Sequence, residues 1–136
     1  VTLDERHPEA RLLPPAGSKE RAQVLRWMVF MAAEMYPLVE MIDYPERFAP
    51  SPDDAAAMRR RAGDILLERW RLVEAAVAGT PYFLPTGFSG ADLFVAKFSV
   101  WLDPDWRQSN LPKVDALTAA VLDRPLLGQV WARHVR

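Results

Sequence analysis

Cysteine is absent from the 136 residues. That excludes disulfides, a thiolate metal centre and a cysteine nucleophile. Histidine is scarce: His7 and His134 stand near opposite ends, and neither has a partner at metal-ligand spacing. No metal site is expected, and His134 reads as a cation at a helix C-terminus. There is little excess charge. Basic residues number 17 and acidic residues 18, for a net charge of -1, so no nucleic-acid or anionic-membrane partner is expected. Long apolar runs are missing, since Trp27 to Ala33 falls far short of the roughly 18 residues of a membrane span. No signal peptide is visible, and a cytoplasmic protein is expected. Neither common glycine-rich phosphate loop nor a nucleophile elbow occurs. The chain starts at Val1 without a Met, as a fragment or processed product would.

Half of the residues are hydrophobic and about a quarter are charged, the composition of a folded domain with a core. Convincing period-two alternation is absent, whereas three- and four-residue spacings recur. The spacing predicts an all-α bundle of about five helices. Leu3 to His7 reads as the tail of a helix stopped by Pro8, and Glu9 to Gly17 as a linker. The first long helix starts at Ser18 and carries Val24, Trp27, Met28, Met31, Met35, Leu38 and Ile42 on one stripe, with a kink near Ala33 to Pro37. Ser51-Pro52-Asp53-Asp54 starts the second. It bears Met58, Ala62, Ile65, Leu66, Val73, Ala76 and Val77 and stops at Gly79. Phe88-Ser89-Gly90-Ala91-Asp92-Leu93 is a third start, with a Ser89/Asp92 capping box and a Phe88/Leu93 staple. The helix that follows is apolar on nearly every side, as a buried central helix is. Asp105 to Asn110 is polar, with no helix assigned to it. Pro112 and Pro125 open two short helices, the last with Leu126, Leu127, Val130 and Trp131 inward.

Few residues offer chemistry. Ser89 and Asp92 have no base near them and are explained as caps. Arg59, Arg60 and Arg61 point in different directions on a helix and make no single anion site. The stripe of Trp27, Met28, Phe30, Met31, Met35 and Tyr36 is rich in adaptable side chains; packing alone explains much of it. Glu34 interrupts that apolar surface, as an exposed residue at the kink or as a carboxylate aimed at a partner.

Four segments in order resemble the C-terminal helical domain of cytosolic glutathione S-transferases. They are Leu3-Asp4-Glu5-Arg6-His7-Pro8 with Leu12-Leu13-Pro14, Arg21-Ala22 with Trp27, Pro81-Tyr82-Phe83-Leu84 with the capping box, and Arg124-Pro125. The resemblance implies that residues 1–17 end a preceding thioredoxin-like domain and its linker, and that 18–136 form the helical domain. The bacterial enzymes, including the beta class, are most similar. Their first helix carries Trp, Asn, Glu and His where this chain has Trp27, Val29, Glu34 and Tyr36, so the Glu is kept and the Asn and His are not. The resemblance implies that Glu34 reaches glutathione of a neighbouring subunit, and that Met28, Met31, Tyr36 and Trp101 line the pocket for the acceptor substrate. It further implies a homodimer, glutathione as co-substrate of the parent protein, and small hydrophobic electrophiles as acceptors. The group that activates the thiol belongs to the thioredoxin-like half, so this chain alone carries no catalytic residue and binds no cofactor by itself. The alternative is a non-catalytic transferase-like module for protein association.

Overall fold

The computed structural model describes residues 1–134. Its helices are α1 (Thr2–Arg6), α2 (Lys19–Phe30), α3 (Tyr36–Asp43), α4 (Pro52–Ala76), α5 (Gly90–Ser99), α6 (Pro104–Asn110), α7 (Pro112–Leu122) and α8 (Pro125–His134). No strand occurs among the described residues.

Local chemistry sets most of the starts. The Ser18 hydroxyl accepts the Arg21 amide at 3.1 Å, and Ser51 accepts the Asp54 amide at 3.2 Å with Pro52 in the first turn. Both remove an orphan donor at a helix N-terminus. Between α2 and α3, where a kink is expected, the regular α-helical hydrogen bonding is interrupted. The chain widens into a π turn over Met31–Met35. Pro37 has no amide hydrogen to donate, and a wide turn is a standard way to absorb that loss. Met31 and Met35 are both fully buried at this turn.

Two expectations need correction. The polar stretch before Pro112 is a helix, α6. Asp103 caps it by accepting the Trp106 amide at 2.8 Å, with Pro104 in its first turn. On α8, Leu126 and Val130 do not point inward: they are 77% and 51% exposed. The helix seats through Leu127 and Trp131, both half-buried, because Gly128 lies tight against the Leu122 carbonyl and fixes its roll.

The core gathers around α5. Ala91, Val95 and Ala96 are fully buried there, against Val24 and Trp27 of α2, Trp70 and Val73 of α4, and Leu117 and Val121 of α7. Polar groups inside it are matched. The Ser99 and Thr118 hydroxyls hydrogen-bond at 2.7 Å across α5 and α7, and Thr118 also donates to the Val114 carbonyl. Glu74 of α4 accepts the Lys113 and Val114 amides at 3.0 and 2.9 Å. A side chain from a distant helix thus caps α7, whose own preceding residue, Leu111, cannot.

Residues 1–17 lie against this body. Asp4 accepts the Leu13 amide at 2.9 Å and pairs with Arg21 at 3.1 Å. Arg21 also donates to the Pro14 carbonyl, and the Gly90 amide donates to the Leu12 carbonyl at 2.6 Å. The Leu13 amide, with help from the Arg21 guanidinium, holds the Asp4 carboxyl below its ordinary pKa. A depressed folded pKa stabilises above the ordinary carboxylate value, and that stabilisation is lost as pH falls through the depressed one. Limited proteolysis of the 8–17 segment should therefore speed up on acidification, and Asp4→Asn should remove the pH dependence. A cleavage rate with the same acid response in Asp4→Asn would contradict this.

Candidate functional site

The site starts from a loop. The Asp92 carboxylate is completely buried and accepts three hydrogen bonds: Phe83 amide at 2.7 Å, Ser89 amide at 2.7 Å and Ser89 hydroxyl at 3.0 Å. The Ser89 amide bond is one half of a capping box, whose other half is the Asp92 amide donating to the Ser89 side chain, and the Phe83 bond reaches back across the loop. Burial raises the Asp92 pKa, while the Phe83 and Ser89 donors pull it back. The Phe83 carbonyl in turn accepts the Ala78 amide at 3.0 Å, and the Phe83 ring packs on Trp27 at 5.7 Å. The end of α4, the loop and the start of α5 are one hydrogen-bonded unit, and Asp92 is its centre.

From that fixed start, α5 carries an aromatic row. Phe94 and Phe98 stack at 6.5 Å, and Phe98 meets Trp101 at 5.2 Å. Tyr36, from the first residue of α3, meets Phe98 edge-on at 6.1 Å. Tyr36 is 45% and Trp101 49% exposed. The helix expected to be buried on nearly every side thus leaves one side part-open: Phe94 and Phe98 are only half-buried, and Lys97 is exposed. The Lys97 ammonium lies 5.1 Å from the Trp101 ring centre and 5.5 Å from that of Trp131 on α8. The contacts run Tyr36, Phe98, Trp101, Lys97, Trp131, along an aromatic wall interrupted by one cation.

The other residues singled out from sequence lie apart from this wall or behind it. Met31 is fully buried in the core. The Met28 sulfur lies 3.3 Å from where a Gly90 side chain would start. That is the opposite end of α5 from Phe98, about 12 Å away at the helical rise. Glu34 is half-exposed and 3.6 Å from Arg69 of α4, and the buried Arg69 Nε has no hydrogen-bond partner within the described residues. Phe94, Phe98, Lys97 and Trp131 were not singled out. Phe94, Phe98 and Trp101 fall at helical spacing, a signal readable in the sequence; the approach of Trp131 from α8 is not. Several further hollows exist. One of about 740 Å³ lies along the linker and includes Arg11, Leu13 and Phe88. Another of about 500 Å³ lies before and within the start of α4, between Pro45 and Arg59. Neither includes the aromatic wall.

No family model matches the chain. A curated relative does: the uncharacterized GST-like protein YncG of Escherichia coli K12 is 27% identical over 131 residues, which are 96% of this chain and 62% of that protein. Among solved structures, a glutathione transferase homologue from Sulfitobacter superposes with a TM-score of 0.86 at 21% identity, over 99% of this chain and 65% of its own. A sphingomonad glutathione S-transferase gives 0.72 at 21% identity, over 97% of this chain and 63% of its own. The chain is a homologue of GST-like proteins. Its fold is that of their helical C-terminal domain, and it spans about three-fifths of the curated GST-like relative's length. No helix of the described residues is long and apolar enough to cross a membrane.

Proposed function

We propose that this chain is the acceptor-binding and dimerisation half of a glutathione transferase that joins glutathione to small hydrophobic electrophiles. The observation that carries the reading is the part-open aromatic wall of Tyr36, Phe98 and Trp101. Flat apolar faces with half their area in water gain free energy when an apolar ligand covers them. The fold supports it, since both transferase structures compared above were solved with glutathione bound. Met31 packs the core from which α3 and Tyr36 emerge, and Met28 lines the linker end rather than the wall.

Glutathione is the co-substrate of the whole protein. Conjugation needs a thiol of lowered pKa, stabilised by a donor or dipole aimed at the anion. A thioredoxin-like half supplies that group, and residues 1–17 are the path to it. Glu34 is the carboxylate this chain offers to glutathione across a homodimer, held at the surface by Arg69. Exposed Val29 on α2 and Leu72 on α4 give that dimer apolar area. The setting is cytoplasmic.

The test uses the chain with glutathione and a nitroaromatic halide. No conjugation above the uncatalysed rate is expected, whereas the acceptor alone quenches tryptophan fluorescence, and Trp101→Ala weakens that binding about tenfold, the scale of one aromatic anchor. Conjugation by the chain alone would place the thiol-activating group within it and refute the division of labour. Failure of the acceptor to bind, together with a stable folded chain, would favour the protein-association module.

A further inference from the structure

Resting on the acceptor-site reading, we infer that Lys97 makes the aromatic wall select flat aromatic electrophiles that carry a carboxylate or sulfonate over their neutral counterparts. Lys97 is the cation of the wall. Its ammonium lies 5.1 Å from the Trp101 ring centre and 5.5 Å from the Trp131 ring centre. Among the described residues, no carboxylate lies within 4.0 Å of it. The two acidic groups nearest in sequence are already engaged. Asp92 is buried at the far end of α5 and accepts from Phe83 and Ser89, and Asp103 caps α6.

A lysine on a solvated helix face is normally surrounded by water or paired with an acid. Here two indole faces replace part of its hydration without neutralising its charge. A less hydrated cation attracts an anion more strongly, because less water screens the pair. Trp101, with the neighbouring Phe98 ring at 5.2 Å, also offers stacking area to a flat ligand. A ligand that lies on Trp101 and Phe98 therefore places a ring substituent within reach of Lys97. An anionic substituent gains there, and a neutral one gains only the stacking. The other cations that sit over rings, Arg26 on Trp27, Arg47 on Tyr44 and Arg124 on Phe88, belong to no part of this wall.

The measurement compares two fluorescent probes of one shape: anilinonaphthalene sulfonate, an anion, and the neutral phenylnaphthylamine that lacks the sulfonate. Dissociation constants are taken for the wild-type chain, Lys97→Met, Lys97→Arg and Trp101→Ala, at low and at high salt. The sulfonate should bind the wild type about threefold to fivefold more tightly than the neutral probe, the scale of a solvent-exposed ion pair. That preference should vanish in Lys97→Met, persist in Lys97→Arg and fade in high salt, while the neutral probe binds all three alike. Trp101→Ala should weaken both probes. Binding of both probes through Trp101 with no anion preference, or with a preference that survives in Lys97→Met, overturns the inference and leaves the acceptor site standing. If neither probe responds to Trp101→Ala, the acceptor-site reading itself falls. Melting of each variant separates charge from docking: an unfolded Lys97→Met, or one with weakened neutral-probe binding, makes Lys97 a strut for α8. Lys97→Gln and the salt dependence of the wild type then decide the charge preference.

Discussion

Replacing Asp92 with Ala lowers the free energy of unfolding by about 3–5 kcal/mol, since three buried donors lose their acceptor at about 1–3 kcal/mol each, less some relaxation. The donors are the Phe83 amide, the Ser89 amide and the Ser89 hydroxyl, all within 3.0 Å of the carboxylate. An ordinary exposed cap is worth only about 0.5–2 kcal/mol. The excess comes from position: Asp92 is 0% exposed, and water cannot take its place. Against a typical domain stability of about 5–15 kcal/mol the loss is severe. Asp92→Asn should fall between wild type and Ala, since an amide keeps one acceptor oxygen but turns its NH2 toward donors. The pH response has a definite sign. A carboxyl whose folded pKa is raised favours the fold most below its ordinary pKa, and that advantage declines as pH rises through the raised value. Urea unfolding of the three chains checks the ranking; an Asp92→Ala midpoint equal to wild type would remove Asp92 from the centre of the loop.

Gly79→Ala should cost about 2–3 kcal/mol, the upper part of the range for forcing atoms into packed space. A Cβ at Gly79 would overlap the Leu84 carbonyl oxygen and lie 2.6 Å from both the Leu84 carbonyl carbon and the Tyr82 carbonyl oxygen. Backbone cannot swing aside as a side-chain tip can. The loop would have to open, and it is closed by the Ala78 and Gly79 amides on the Phe83 carbonyl. Gly63, half-buried within α4, has nothing within 4 Å of its Cβ position. Gly63→Ala is the matched control and should stabilise slightly through helix propensity. Thermal melts of the two alanine variants separate them; equal melting temperatures would show that the close approach at Gly79 is relaxed in solution. Because Asp92 and Gly79 act on one loop, the double variant should lose less than the sum of the singles.

The starts of α2, α4 and α5 were legible because capping is local: Ser18, Ser51, and Ser89 with Asp92 carry their partners within three residues. The all-helical class followed from spacing for the same reason. What distant elements bring together was not legible. Glu74 caps α7 from 39 residues away, and no local pattern announces it. The wall suffered most from one feature, the π turn at Met31–Met35. A wide turn inserts an extra residue and rotates everything after it by about 100° relative to what precedes it. A stripe continued from Met28 and Met31 to Tyr36 at uniform helical spacing therefore merges positions on the two sides of the turn. Met28 ends beside Gly90, Met31 in the core, and Tyr36 against Phe98. The setting of Lys97 between Trp101 and Trp131 depends on where α8 docks.

The most direct measurement is to titrate the isotope-labelled chain with a small aromatic electrophile and follow the amide and indole resonances by NMR. Shifts concentrated at Tyr36, Phe98 and the Trp101 indole, with Met28 and the linker unmoved, are expected of an acceptor site on the wall. Shifts confined to the hollow along Arg11, Leu13 and Phe88, or to the groove between Pro45 and Arg59, would contradict it and move acceptor binding elsewhere on the domain.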